Sequence, residues 1–190
     1  MISLLLRPIV RTLLPIINKV YMIALGVKPL GKSIIICVEL RSHKGRPVKL
    51  LDGCEIRPGD PVIKLHLNNA WIAEKLQLSL GRRTAGFPRG LIHYFKEGLQ
   101  VLASEVADGK HGDITAVYGW TVFHTYASQL GFQVVDLPNT LRTKLAQFYI
   151  SGLMQAHHIP WLTRYTASRK SLKVKAVWLS RAELLRIYHI

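Results

Sequence analysis

Lys64, His66 and Asn68 stand at every second position of "VIKLHLNNAWI", residues 62 to 72. In an extended strand alternate side chains share one face, about 7 Å apart. The lysine supplies a fixed positive charge. The histidine donates, accepts or moves a proton near neutral pH, and the asparagine offers both donor and acceptor. Such a row can hold a phosphate, a carboxylate or sugar hydroxyls. His66 is the best acid–base candidate in the chain, yet no serine or cysteine motif stands beside it as a nucleophile. The plain alternative is a strand face turned to water.

A second candidate is "YGWTVFH", residues 118 to 124. A strand leaving through Gly119 into a helix would present backbone N–H groups to an anion, with Thr121 and His124 alongside. One glycine is far short of a phosphate-loop signature. Arginines, which suit phosphate and carboxylate forks, cluster in "GRRTAGFPRG" as Arg82, Arg83 and Arg89. A second basic run, "RYTASRKSLKVK", holds Arg164, Arg169, Lys170, Lys173 and Lys175. Phe87, Trp161 and Tyr165 stand among these bases and could stack on sugars or nucleobases. No RNA-binding or helix-turn-helix signature accompanies them.

Composition narrows the partners. The chain has 190 residues, 49% of them hydrophobic, with 26 Lys and Arg against 11 Asp and Glu, a net charge of +15. That field attracts nucleic acid, anionic lipid or acidic polysaccharide without choosing among them. The two cysteines, Cys37 and Cys54, form no CxxC pair, so a reduced, cytoplasmic setting is expected. Cys37, inside "SIIICVEL", is expected to be buried. The only adjacent histidines are His157 and His158, and neighbours on a helix diverge. No metal site and no cofactor are expected.

The elements that must position these residues follow from periodicity. Residues 1–28 read as an apolar, basic leader helix, and 29–190 as one domain. Arg7, Arg11 and Lys19 interrupt the leader and Pro8 and Pro15 break it, against both a signal peptide and a membrane span of about 20 uncharged residues. It either packs into the core or lies in a membrane interface. "SIIICVELRSH" reads as a strand, "VKLLDG" as its return and "PVIKLHLN" as a third. "AWIAEKLQLSL" and "LIHYFKEGLQVLASEVAD" carry helical spacing. "ITAVYG", "FQVVDLP" and "SLKVKAVWL" read as strands, alternating with helices over "TVFHTYASQLG", "NTLRTKLAQFYISGLMQAHH" and "LLRIY". Gly131 should stop the first of these, and "SRAE" is a capping box for the last. The fold expected is α+β: a mixed sheet of about five or six strands, opening as an antiparallel meander and covered by helices.

"KGRPVKLLDG", "RPGDPVIKLHLNN", "GWTVFHTYASQLGFQVVDLP" and "VWLSRAELLRIY" together resemble the YkoP-like domain family over about residues 20 to 190. That bacterial domain occurs alone or fused behind a polysaccharide deacetylase domain. The resemblance implies a neighbourhood, envelope polysaccharide metabolism, rather than a reaction. The metal-binding Asp and His motifs of such deacetylases have no counterpart in this chain.

The reading is an accessory binding domain for an anionic ligand, phospholipid or glycan, with Lys64, His66, Asn68, Arg82, Arg83, Arg89, Thr121 and His124 as ligand-binding candidates. It is expected in the cytoplasm, peripherally at the inner membrane face, with a polysaccharide deacetylase as the implied partner. The first rival is a small enzyme on an anionic glycan or lipid-linked substrate, with His66 as acid–base. The second is a nucleic-acid binder, ranked lower.

Overall fold

The structure, a computed structural model, describes residues 20, 22–30, 35–68, 89–156 and 173–189. The leader up to residue 19, the expected helix over 69–80, Arg82, Arg83, the His157 and His158 pair and most of the basic run after it lie outside the described residues. The elements are β1 (Lys28–Pro29), β2 (Ile36–Ser42), β3 (Val48–Lys49), β4 (Glu55–Ile56), β5 (Pro61–Leu67), α1 (Arg89–Ala107), β6 (Ala116–Thr121), α2 (His124–Gln129), β7 (Gln133–Val135), α3 (Leu141–Ala156), β8 (Lys175–Ser180) and α4 (Arg181–Tyr188).

Six strands form one sheet in the order β1-β2-β5-β6-β8-β7, and β3 pairs with β4 in a separate ribbon. The β5–β6 pair is parallel and the other pairs in the large sheet are antiparallel. The fold is thus the expected α+β type with a mixed sheet. Its opening is not the expected meander. β2 pairs with β5, Ile36 opposite Leu67 through Ser42 opposite Pro61, and the β3–β4 ribbon is inserted between them. "VKLLDG" does not run back along β2. A turn closes Gly53 N–H on Leu50 C=O at 3.1 Å, which leaves β3 only two residues long. β5 matches β2 residue for residue and takes the place beside it. His43 N–H on Asp60 C=O (2.8 Å) and Gly59 N–H on His43 C=O (2.9 Å) close the base of the insertion.

One face of the sheet is the main core. Ile36, Val38, Ile63, Val117, Val177 and Leu179 meet Leu99, Leu102, Ala103 and Val106 of α1 and Leu184 and Tyr188 of α4. The spacing of the α1 residues puts them on one side of that helix, and burying each leucine contributes about 1.5–3 kcal/mol. On the other face Val62, Ala116, Ala176 and Trp178 are covered by Leu50 and Ile56 of the ribbon.

Local chemistry sets the helix ends. Ser180 is the N-cap of α4: its Oγ accepts the Glu183 N–H at 3.0 Å, as the capping box predicts. The same hydroxyl donates to Asp52 of the ribbon. Gly131 ends α2 with φ +82°, and Gly131 N–H on Ser128 C=O with Phe132 N–H on Ala127 C=O, both 3.1 Å, make a Schellman stop. The start of α2 lies later than its pattern suggests. β6 continues through Trp120 and Thr121, which pair with Ala176 and Lys175 of β8, a ladder that suits aromatic and β-branched residues. α3 leaves Leu141, Leu145 and Phe148 exposed by 75%, 60% and 71%, a stripe at helical spacing that faces away from both clusters.

Candidate functional site

Lys64 and His66 do share a face of β5, and it is the face away from the main core. The register with β2 puts Glu39 opposite Lys64 and Cys37 opposite His66. The Glu39 carboxylate is the centre of the group. Its Oε2 accepts from His66 Nε2 at 2.8 Å and its Oε1 lies 3.4 Å from Arg41 Nη1. The Glu39 and His66 side chains are only 8% and 11% exposed, so this stripe is not a sheet face turned to bulk water.

The chemistry of the pair follows. A carboxylate only accepts, so Nε2 carries the hydrogen and the neutral imidazole keeps its lone pair on Nδ1. Burial pushes the His66 ring below its ordinary value. The bond to Glu39 pulls the other way, and the charges of Lys64 and Arg41 add to the lowering. Around the pair stand aromatics. Lys64 Nζ lies 5.8 Å from the centroid of the Trp120 ring, within cation–π range, and Tyr118 stacks on Trp178 at 4.5 Å. Cys37 is half-buried, and burial raises its thiol above the ordinary value, which holds it as the un-ionised, weakly nucleophilic form.

Asn68 follows the last residue of β5, and its N–H donates to Ile35 C=O at 2.9 Å; the regular alternation ends at Leu67. Thr121 closes β6 on the opposite face, and its Oγ1 accepts the Phe123 N–H at 2.9 Å. α2 has Phe123 at its cap position, without a side-chain cap. His124 opens α2. Burial lowers its proton affinity, helped by Lys175 and opposed by Asp136, which themselves pair at 3.0 Å. Thr121 and His124 therefore belong to a different region from Lys64 and His66. Arg89 begins α1. Among the described residues no group of three His, Cys, Asp or Glu could hold a metal ion.

Sequence reasoning missed Glu39, Arg41, Tyr118 and Trp120. One signal was there: Glu39 is the only acid in "SIIICVEL", and a carboxylate in so apolar a strand is a charge that needs a partner.

The chain matches the YkoP domain model over residues 7–188. It is 27% identical over 157 residues to the Bacillus subtilis (strain 168) protein named uncharacterized protein YkoP, covering 80% of this chain and 79% of that relative. No solved structure matches it. With the domain model spanning nearly the whole sequence, the chain belongs to the YkoP domain family.

Proposed function

We propose that this chain is a non-catalytic binding domain for an anionic ligand, seated on the second sheet face at Arg41, Lys64 and His66 beside Trp120. The observation that carries the reading is the grouping of two fixed cations and a histidine around one buried carboxylate, next to an indole ring. Arg41 and Lys64 place two fixed cations beside Glu39, and the chain's net charge of +15 draws anions toward the protein. An acidic glycan uses every part of this face, because a sugar ring can lie on Trp120 while its carboxylate or phosphate meets Lys64 and Arg41. A phospholipid headgroup would use the charges alone. The association with polysaccharide deacetylases that the sequence resemblance implies favours the glycan and such an enzyme as partner. Among the described residues no helix is long and apolar enough to cross a membrane; a cytoplasmic place at the inner membrane face fits the charge. Nucleic acid ranks below both, for want of any recognition signature.

A calorimetric panel of an acidic polysaccharide, phosphatidylglycerol vesicles and a single-stranded oligonucleotide tests this. Lys64→Ala should weaken the favoured arm by about 1.5–3 kcal/mol, the worth of a hydrogen bond to a charged group. Trp120→Ala should weaken the glycan arm and spare the vesicle arm. Equal binding by wild type and Lys64→Ala in every arm would sink the proposal.

The Glu39–His66 pair favours one second reading, a small enzyme on an anionic glycan or lipid-linked substrate. A carboxylate that fixes the tautomer and leaves Nδ1 as a base is how oriented general bases are built. In that case His66→Ala abolishes turnover of the bound glycan while the glycan still binds.

A further inference from the structure

Opposite the Glu39–His66 face, the sheet, α1 and α2 surround a cavity of about 80 Å³. A water needs about 10–15 Å³ by this measure, and only where polar partners surround it. The walls here are apolar, with Leu65 and Leu67 from β5, Ile92 and Phe95 from α1, and Phe123 and Ala127 from the α2 region. The space suits methylene groups rather than water.

Gly119 forms part of the floor. A glycine inside a central strand weakens it and calls for a reason. Sterics supply none: its backbone is outside the left-handed region, and a Cβ would meet Leu65 O at 3.5 Å and Leu65 Cβ and Val177 Cγ2 at 3.8 Å, all ordinary contacts. An alanine would fit. What glycine provides is the empty volume itself.

One polar side chain of the lining has a base as its neighbour on the same sheet face. Thr121, also a lining residue, sits opposite Lys175 in the β6–β8 ladder. Its Oγ1 accepts the Phe123 N–H, and the hydroxyl hydrogen can still be given to an anion. Lys175 is paired at 3.0 Å with Asp136, whose side chain is 82% exposed, and so exposed a carboxylate yields its partner at little cost. We infer that this cavity binds the alkyl chain of an anionic amphiphile such as a fatty acid, with the acid group at Lys175 and Thr121. The cavity lies on the face opposite Lys64 and His66, and Trp120 borders both places, so Gly119 and Lys64 rather than Trp120 tell the two sites apart.

Titration of the full chain with cis-parinaric acid, a fluorescent fatty acid, should give saturable binding. Gly119→Val should weaken it about tenfold or more by filling the floor, equivalent to about 1.4 kcal/mol. Gly119→Ala, whose methyl meets only ordinary contacts, is the variant to use if the valine form fails to fold, and should weaken binding by several-fold. Lys175→Ala should weaken competition by a fatty acid and leave that by the matching long-chain alcohol unchanged. Absence of saturable binding by the wild type overturns the inference. So does wild-type affinity in the folded Gly119 variants, or a loss on Lys64→Ala with none at Gly119, which would put the probe on the other face.

Discussion

Two donors meet at the Glu39 carboxylate, His66 on one oxygen and Arg41 near the other. His66→Ala removes the shorter contact and leaves a buried acceptor, so it should cost about 1–3 kcal/mol by chemical denaturation. The pH dependence has a definite sign. His66 sits below its ordinary value of 6.5 in the folded chain because it is buried. The unfolded chain therefore takes up the proton first as pH falls. The His66 contribution is fully present above pH 6.5, and is lost as pH drops through the lower folded value. Melting temperature followed from about pH 7.5 to 5 should fall more steeply for the wild type than for a folded His66→Gln. Parallel curves would mean that His66 titrates alike in both states. Lys64 and His66 were legible as a stripe because a strand's period is two. Glu39 and Arg41 were not, because only the β2–β5 register brings them alongside, and a sequence does not print which strands pair.

Elements with strong local signals were the legible ones. The apolar spacing of α1, the Gly131 stop and the Ser180 cap are all local, and all three stand where the sequence put them. The ribbon was misread because pairing β3 with β4 rather than β2 depends on a turn at Leu50 and on how well β5 fits β2. Ser180 joins these two stories, since one hydroxyl caps α4 and holds the ribbon through Asp52. Ser180→Ala should cost about 1–2 kcal/mol, the upper part of the range for a lost cap. Asp52→Ala keeps the cap, so it should cost less in the same denaturation series. α3 raises a separate point. It contains no acidic residue, carries Arg142 and Lys144, and exposes Leu141, Leu145 and Phe148. If the chain meets an anionic lipid surface, this exposed stripe beside two bases is where the contact would fall. Leu145→Glu with Phe148→Glu should cut co-sedimentation with phosphatidylglycerol vesicles and leave the melting temperature nearly unchanged. A large fall in melting temperature would show that the stripe packs within the protein.

For the molecule as a whole, charge sets how binding responds to its surroundings. With a net charge of +15, affinity for a polyanion should fall as salt rises and the Debye length shrinks from about 10 Å at 0.1 M to about 3 Å at 1 M. A ligand held mainly by contact with Trp120 would lose much less. Calorimetry of the acidic polysaccharide at several salt concentrations separates the two contributions. The strand order carries a consequence in time as well. In the sheet β7 lies at the edge, with β8 as its neighbour, and β8 begins about 40 residues further along the chain. A ribosome adds about 5–20 residues per second, so β7 is made roughly 2–8 s before its partner. Through that interval Val134 and Val135 have no strand to lie against, and the same is true of the edge of β6 that β8 later covers. Released chains truncated between residues 136 and 174 should therefore hold chaperones longer than the released full chain.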